Sequence, residues 1–126
     1  MKAPGGITRG SQRGQAAVEF ALVLPVIAVM ALGLIAVGLA VRNELAVELA
    51  AREGARAAAV SASPATASAA AAQRSVGLPI DVSTTASADT VTVVVTYTDP
   101  LDVPMIGRLV GTITHTASVT MAVEPP

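Results

Sequence analysis

A chain of 126 residues with no cysteine, one histidine and 2% aromatic residues excludes disulfide frameworks, thiolate metal sites and cysteine nucleophiles, and leaves room for one small domain. Its net charge of −1 conceals an asymmetry: Lys2, Arg9, Arg13 and Arg42 against Glu19 give residues 1–42 a balance of +3, while four arginines against eight acids leave residues 43–126 at −4. A C-terminal part of that sign has no basic footprint for nucleic acid. A core built from Ala, Val, Ile and Leu buries little area per residue, so that part is expected to be marginally stable alone.

Residues 1–14, MKAPGGITRGSQRG, are polar, basic and rich in Gly. They show no apolar period and read as a disordered leader. Its three cations favour retention in the cytoplasm, with the following helix inserted N-in and C-out; Arg42, Arg52 and Arg56 beyond it are interleaved with Glu44, Glu48 and Glu53. Glu19 then stands directly before an uncharged run of 22 residues, Phe20–Val41. About 20 apolar residues at ~1.5 Å each cross the hydrocarbon core of a bilayer as a helix. The run exceeds the ~7–15-residue apolar region of a cleaved secretory signal, and GLAVRN at 38–43 offers only a weak small-x-small site at Gly38 and Ala40. Pro25 predicts a kink one turn after Phe20. Gly33, Ala36 and Ala40 share one helical face, where small side chains admit a closely packed neighbouring helix. The competing reading is that Ala and Gly are simply common in this chain.

The helical pattern continues past the apolar run. Residues 42–60 hold strong helix formers and no Pro, Glu48 precedes Arg52 by one turn, and Val47, Ala51, Gly54 and Ala58 prolong the small face with Leu45 and Leu49 beside it. The pattern predicts one helix from about Gln15 to about Val60, with residues 20–41 transmembrane and 42–60 an amphipathic stalk. Ser63 as N-cap and Pro64 at the first helical position then open a short Ala-rich helix over 65–76, ended by Gly77; a low-complexity linker is the alternative. The last third changes period. Thr90–Thr98 places Val91, Val93, Val95 and Tyr97 on one face. Thr112–Val123 alternates Ile113, His115, Ala117, Val119, Met121 and Val123 against Thr and Ser. Both are half-buried strand patterns, and Ile80–Ala86 is a weaker third. Ala88 and Asp89 suit a tight turn. The connector from Asp99 to Gly111 is too long for a simple hairpin, and Met105–Val110 is assigned one helical turn within it. Three antiparallel strands with one apolar face need a cover, and the small-residue face of 47–58, helped by 65–76, is the long candidate. The expected class is α+β, a long N-terminal transmembrane-plus-stalk helix packed on a small antiparallel sheet, with residues 61–126 as the extracytoplasmic domain.

Catalytic chemistry finds no support. His115 lies on the apolar-alternating face of a strand with no acid, Cys or second His at ligand spacing, and reads as structural. Asp99 and Asp102 flank Leu101 in a Pro-rich stretch; two carboxylates make a poor cation site, and turn chemistry explains them better. No nucleophile elbow, Walker loop or zinc signature is present. No catalytic, cofactor-binding or metal-binding residue is assigned, and the chain is read as a non-enzyme.

The segment RGQAAVEFALVLP, residues 13–25, resembles the TadE-like family of the tight-adherence (Flp) pilus system, and so do AAREGARAAA at 50–59 and the closing SVTMAVE at 118–124. The resemblance is specific over 13–60 and looser beyond. It implies the pilin-like architecture, a helix half in the membrane and half laid on an antiparallel sheet. It also implies cleavage between Gly14 and Gln15 by a membrane aspartic prepilin peptidase, which would put Glu19 at mature position five, followed by Phe20. Flp major pilins are usually shorter and lack a sheet domain, so the likeness is to a minor pilin or pseudopilin. The implied partners are the peptidase, other pilins or pseudopilins with the tight-adherence secretion machinery, and the lipid bilayer. The implied location is the cell membrane, single-pass, with incorporation in a surface pilus.

Physical chemistry gives Glu19 a role in that scheme. A carboxylate at the edge of hydrocarbon needs a partner. Cleavage after Gly14 would create an α-amine on Gln15, about one turn away, and the amine of one subunit would then pair with the carboxylate of a neighbour. The bland reading places Glu19 in the headgroup zone as a mark of the helix start. Two rival readings of the whole chain stay open: an uncleaved single-span protein with a small outer partner-binding domain, and a secreted β-module released by signal cleavage near Ala40.

Overall fold

The structure, a computed structural model, describes residue 1 and residues 9–100, 108 and 111–125. Helix α1 spans Arg9–Ala59 and helix α2 Pro64–Ser75; strands β1, β2 and β3 span Asp81–Ala86, Thr90–Pro100 and Thr112–Ala122. The chain is α+β, with a long N-terminal helix packed on a small three-stranded antiparallel sheet. It divides into two compact units, Met1–Val37 and Gly38–Pro126.

Helix α1 has 51 residues and begins at Arg9, six positions before the expected start at Gln15. Once a long helix exists, each further residue adds a hydrogen bond without a new nucleation step. Gln12, Arg13, Gln15 and Ala16 are good helix formers, and the cost of a glycine, about 1 kcal/mol in a helix interior, does not stop propagation at Gly14. The element also continues through Pro25. In the first unit the large apolar side chains face outward. Phe20, Leu22, Met30, Leu34 and Ile35 are all more than half exposed. This is the one described helix long and apolar enough to cross a membrane, with a mean hydropathy of 2.8 over its most apolar window.

The second unit has a closed core. On α1, Val47, Ala50, Ala51, Ala55 and Ala58 are fully buried, at spacings that keep them on one face. They meet Val91, Val93 and Val95 of β2, which are also fully buried. The sheet order is β1-β2-β3, with β2 in the centre. Register is fixed along its length: Val93 lies opposite Thr84 on one side and Val119 on the other. Period-two alternation therefore sends Val91, Val93, Val95 and Tyr97 to the core, and Thr92, Thr96 and Thr98 to the other face. The hydroxyls of Thr92 and Thr120 are 2.8 Å apart across β2 and β3 on that outer face.

Local details depart from sequence expectation. Ser63 takes the N-cap position of α2 with Pro64 after it, but its side chain makes no cap bond; its carbonyl accepts from Ala67 N at 3.1 Å instead. What holds α2 is Ser68, fully buried, whose hydroxyl lies 3.0 Å from Ala65 O and 2.6 Å from Thr84 Oγ1 of β1. The turn between β1 and β2 is closed by Ser87 N donating to Thr90 O at 2.8 Å. Strand β2 runs on to Pro100, so Asp99 belongs to the sheet and not to a turn. Asp102 and the helical turn expected at Met105–Val110 lie outside the described residues, apart from Arg108.

Candidate functional site on helix α1

Of the residues singled out by sequence, Gly14, Gln15, Glu19 and Phe20 lie together on the first unit's helix. All four are exposed. The Gln15 side-chain amide donates to Glu19 Oε1 at 3.4 Å, one turn along the helix. The α-amine that cleavage would create therefore belongs to the residue already in contact with the carboxylate. Among the described residues no Lys or Arg pairs with Glu19. A side chain added at Gly14 or Gly33 would meet nothing within 4 Å. Gly33 and Ala36 are only partly covered by their own helix.

The rest of the small-residue face is occupied within the second unit. Ala51 and Ala58 are fully buried. Gly54 is where three elements meet: a Cβ built there would lie 3.2 Å from Ser68 O, 3.2 Å from Val93 Cγ1 and 3.5 Å from Ala72 Cβ. Ala40, of the same unit, stays partly exposed. Glu48 and Arg52 form the expected exposed ion pair one turn apart.

Two contacts that sequence reading missed tie α1 to the sheet. His115 of β3 is 5% exposed, and its Nδ1 lies 2.8 Å from Glu44 Oε2 on α1. Tyr97 stacks beside the imidazole with ring centroids 6.3 Å apart. One position earlier on α1, Asn43 Nδ2 donates to Asp99 Oδ2 at 2.6 Å. His115 is thus buried on the sheet's inner face, the face on which its alternation placed it, and it has an acidic partner 71 positions away. Its Nε2 is buried with no partner among the described residues. Glu44→Ala would leave Nδ1 without its acceptor as well. Because the Glu44 side chain is 56% exposed, the loss is expected to be only about 1 kcal/mol. A denaturant titration of the full chain followed by near-ultraviolet absorption of Tyr97 would measure it, and an unchanged midpoint would remove this contact from the fold's support.

Among the described residues no group of three or more His, Asp or Glu could hold a metal ion.

Residues 14–56 match the family model described as TadE-like protein, the family that the segment at 13–25 resembles. No curated protein and no solved structure matches the chain. The family is a structural, pilus-associated one and not an enzyme class. With the membrane-spanning type of helix, the match supports a membrane protein associated with the tight-adherence pilus.

Proposed function

From a chain whose residues 14–56 match the TadE-like family, we propose a pseudopilin or minor pilin that takes part in assembly of a tight-adherence pilus. It inserts with its N-terminus in the cytoplasm and its sheet domain outside. A prepilin peptidase cuts between Gly14 and Gln15, and the matured helix joins other pilins or pseudopilins and the secretion machinery. One observation carries the reading. Gly14, Gln15 and Glu19 stand on one exposed helix directly before a 22-residue apolar run, inside the segment matched to the family. In this scheme Gly14 marks the cut and Gln15 becomes the amine. Glu19 and Phe20 set register against a neighbour, while Gly33, Ala36 and Ala40 let its helix approach.

A second reading draws on a different observation. The Gly14–Gln15 bond lies inside α1, which starts at Arg9, and a helical backbone has to unwind before it enters an extended-substrate cleft. That favours an uncleaved single-span anchor whose outer domain binds a partner. N-terminal sequencing of the membrane-extracted protein decides between them. In cells with the peptidase the chain is expected to begin at Gln15, and in cells without it at Met1. A full-length chain in both would leave the anchor; an N-terminus near Val41 in both would instead identify a secreted product.

A further inference from the structure

At the end of the second unit where α1 enters the apolar run lies a cavity of about 260 Å³. One wall is a face of α1, with Arg42, Ala46 and Leu49; the other is the connector between α2 and β1, with Val76 and Leu78. All of these residues belong to the second unit. The topology brings them together. Helix α1 leads away from the apolar run to Ala59 and α2 returns, so the chain after Ser75 arrives beside Arg42. Val76 and Leu78 pack on the core with one side and stay partly exposed on the other, and Leu49 is 47% exposed. A single charge lines the cavity, and it is positive. Arg42 directly follows Val41, the last residue of the apolar run, and among the described residues it has no acidic partner. The acids close to it on the chain or in the fold are engaged elsewhere: Glu44 meets His115, and Asp99 accepts from Asn43. Arg74, at the end of α2, donates to Ala70 O of its own helix at 3.0 Å.

We propose that this cavity seats the headgroup of one anionic phospholipid from the leaflet next to Val41, with the phosphate on Arg42 and the glycerol backbone against Ala46, Val76 and Leu78. Depth supports the occupant. From Arg42 to Ala46 the helix rises ~6 Å, and the headgroup layer of a leaflet is roughly 5–8 Å deep. Chemistry supports it as well. The guanidinium fork matches two phosphate oxygens, and the apolar walls suit the carbon skeleton beside them. A zwitterionic headgroup fits less well, because its ammonium would enter a lining that holds a cation and no acid. The volume of about 260 Å³ is below the ~300 Å³ at which sites for whole drug-sized ligands begin, and suits a headgroup whose chains stay in the bilayer. Residues 43–126 carry a net −4 and are repelled by an anionic surface, so a seated lipid gives this domain a point of attachment that its overall charge does not. The inference rests on the apolar run crossing a bilayer, as proposed above. It does not depend on which way the helix is inserted or on whether Gly14–Gln15 is cut.

The full chain, reconstituted in liposomes of equal parts phosphatidylglycerol and phosphatidylcholine, provides the test. After transfer to detergent, native mass spectrometry counts the lipids that stay on the protein. One phosphatidylglycerol is expected to remain, preferred over phosphatidylcholine about fivefold or more. Arg42→Gln, at an exposed position, is expected to bring that ratio close to one. Arg56→Gln, ~21 Å further along α1 and outside the cavity, is expected to leave it unchanged. Ala46→Leu keeps Arg42 and the helix propensity but fills the space between α1 and the connector, and is expected to lower retention about fivefold too, at unchanged circular dichroism. That loss separates a seated lipid from the general attraction of an arginine at a membrane surface. Equal retention of the two lipids by protein that resists alkaline carbonate extraction would overturn the proposal and leave the membrane span standing. Extraction by carbonate would remove the span and this inference together. A preference that survives Arg42→Gln or Ala46→Leu, or that falls as far with Arg56→Gln, would also overturn it.

Discussion

Glu19→Ala is expected to leave the protein in the membrane and remove it from the assembled machine. The two outcomes separate because the substitution acts in opposite directions on them. Insertion depends on the apolar run from Phe20 to Val41, and taking a charge from its edge makes the helix easier to insert. Assembly, in the proposed scheme, depends on the carboxylate. The side chain is exposed, and its described contact within the chain is a 3.4 Å hydrogen bond from Gln15, which is too little to hold an anion at the rim of hydrocarbon. An α-amine supplied by a neighbour would complete it, and the low dielectric that makes the lone charge costly makes the pair strong. Incorporation, measured as the share of tagged protein that co-purifies with the pilus assembly, is expected to fall by about tenfold or more, with the membrane-bound amount unchanged. Glu19→Gln is expected to resemble the alanine variant, because the amide keeps the size but not the charge. Wild-type incorporation of Glu19→Ala would remove Glu19 from the mechanism. Loss of membrane localisation would show that the acid serves insertion instead.

What could be read in the sequence was whatever obeys a short-range period. The apolar run, the turn of helix from Glu48 to Arg52 and the twelve-residue alternation starting at Thr112 each follow from one geometry repeated locally. Two features were not legible, for different physical reasons. The helix start at Arg9 is set by propagation out of a stable helix, which carries α1 through Gly14 although the local composition favours a loop. The contacts Glu44–His115 and Asn43–Asp99 span 71 and 56 positions; they exist only because the packing of α1 on the sheet brings adjacent residues of one helix to the same end of two strands. The small face of α1 over 47–58 was legible together with its role, because three strands with one apolar face need a covering layer and no other long helical face was on offer. In the second unit the cover for Ala51, Gly54 and Ala58 is the chain's own core. The segment around Gly14 and Glu19 was legible for another reason: its residue types and their position before the apolar run carry the family likeness, and the family match begins there.

Gly54→Leu is expected to destabilise the second unit by about 3 kcal/mol, at the upper end for forcing extra carbons into a filled core. Even a single methyl at this position would sit 3.2 Å from the Ser68 carbonyl and 3.2 Å from Val93 Cγ1. The carbonyl cannot turn aside, because Ser68 is anchored through Thr84 Oγ1 at 2.6 Å and Ala65 O at 3.0 Å, which fixes α2 against β1. Val93 is equally confined, being fully buried in the central strand. Gly54→Ala is a different case. It crowds the same two atoms, but it also recovers the helix propensity that glycine forgoes, about 1 kcal/mol, so its net effect is expected to stay within about 1 kcal/mol of zero. Leucine gains similar propensity and has nowhere to place its three further carbons. In a small domain with few large core side chains, about 3 kcal/mol is a large part of the total stability. Pulse proteolysis in urea on the full chain in micelles would measure it: a midpoint well below wild type for leucine and near it for alanine is the expected pair of results. Equal midpoints for leucine and wild type would mean that α1, α2 and β2 do not approach as closely as Gly54 allows. Glu19→Ala is expected to leave the urea midpoint of the second unit, Gly38–Pro126, at its wild-type value, since Gly54 and the atoms around it all belong to that unit.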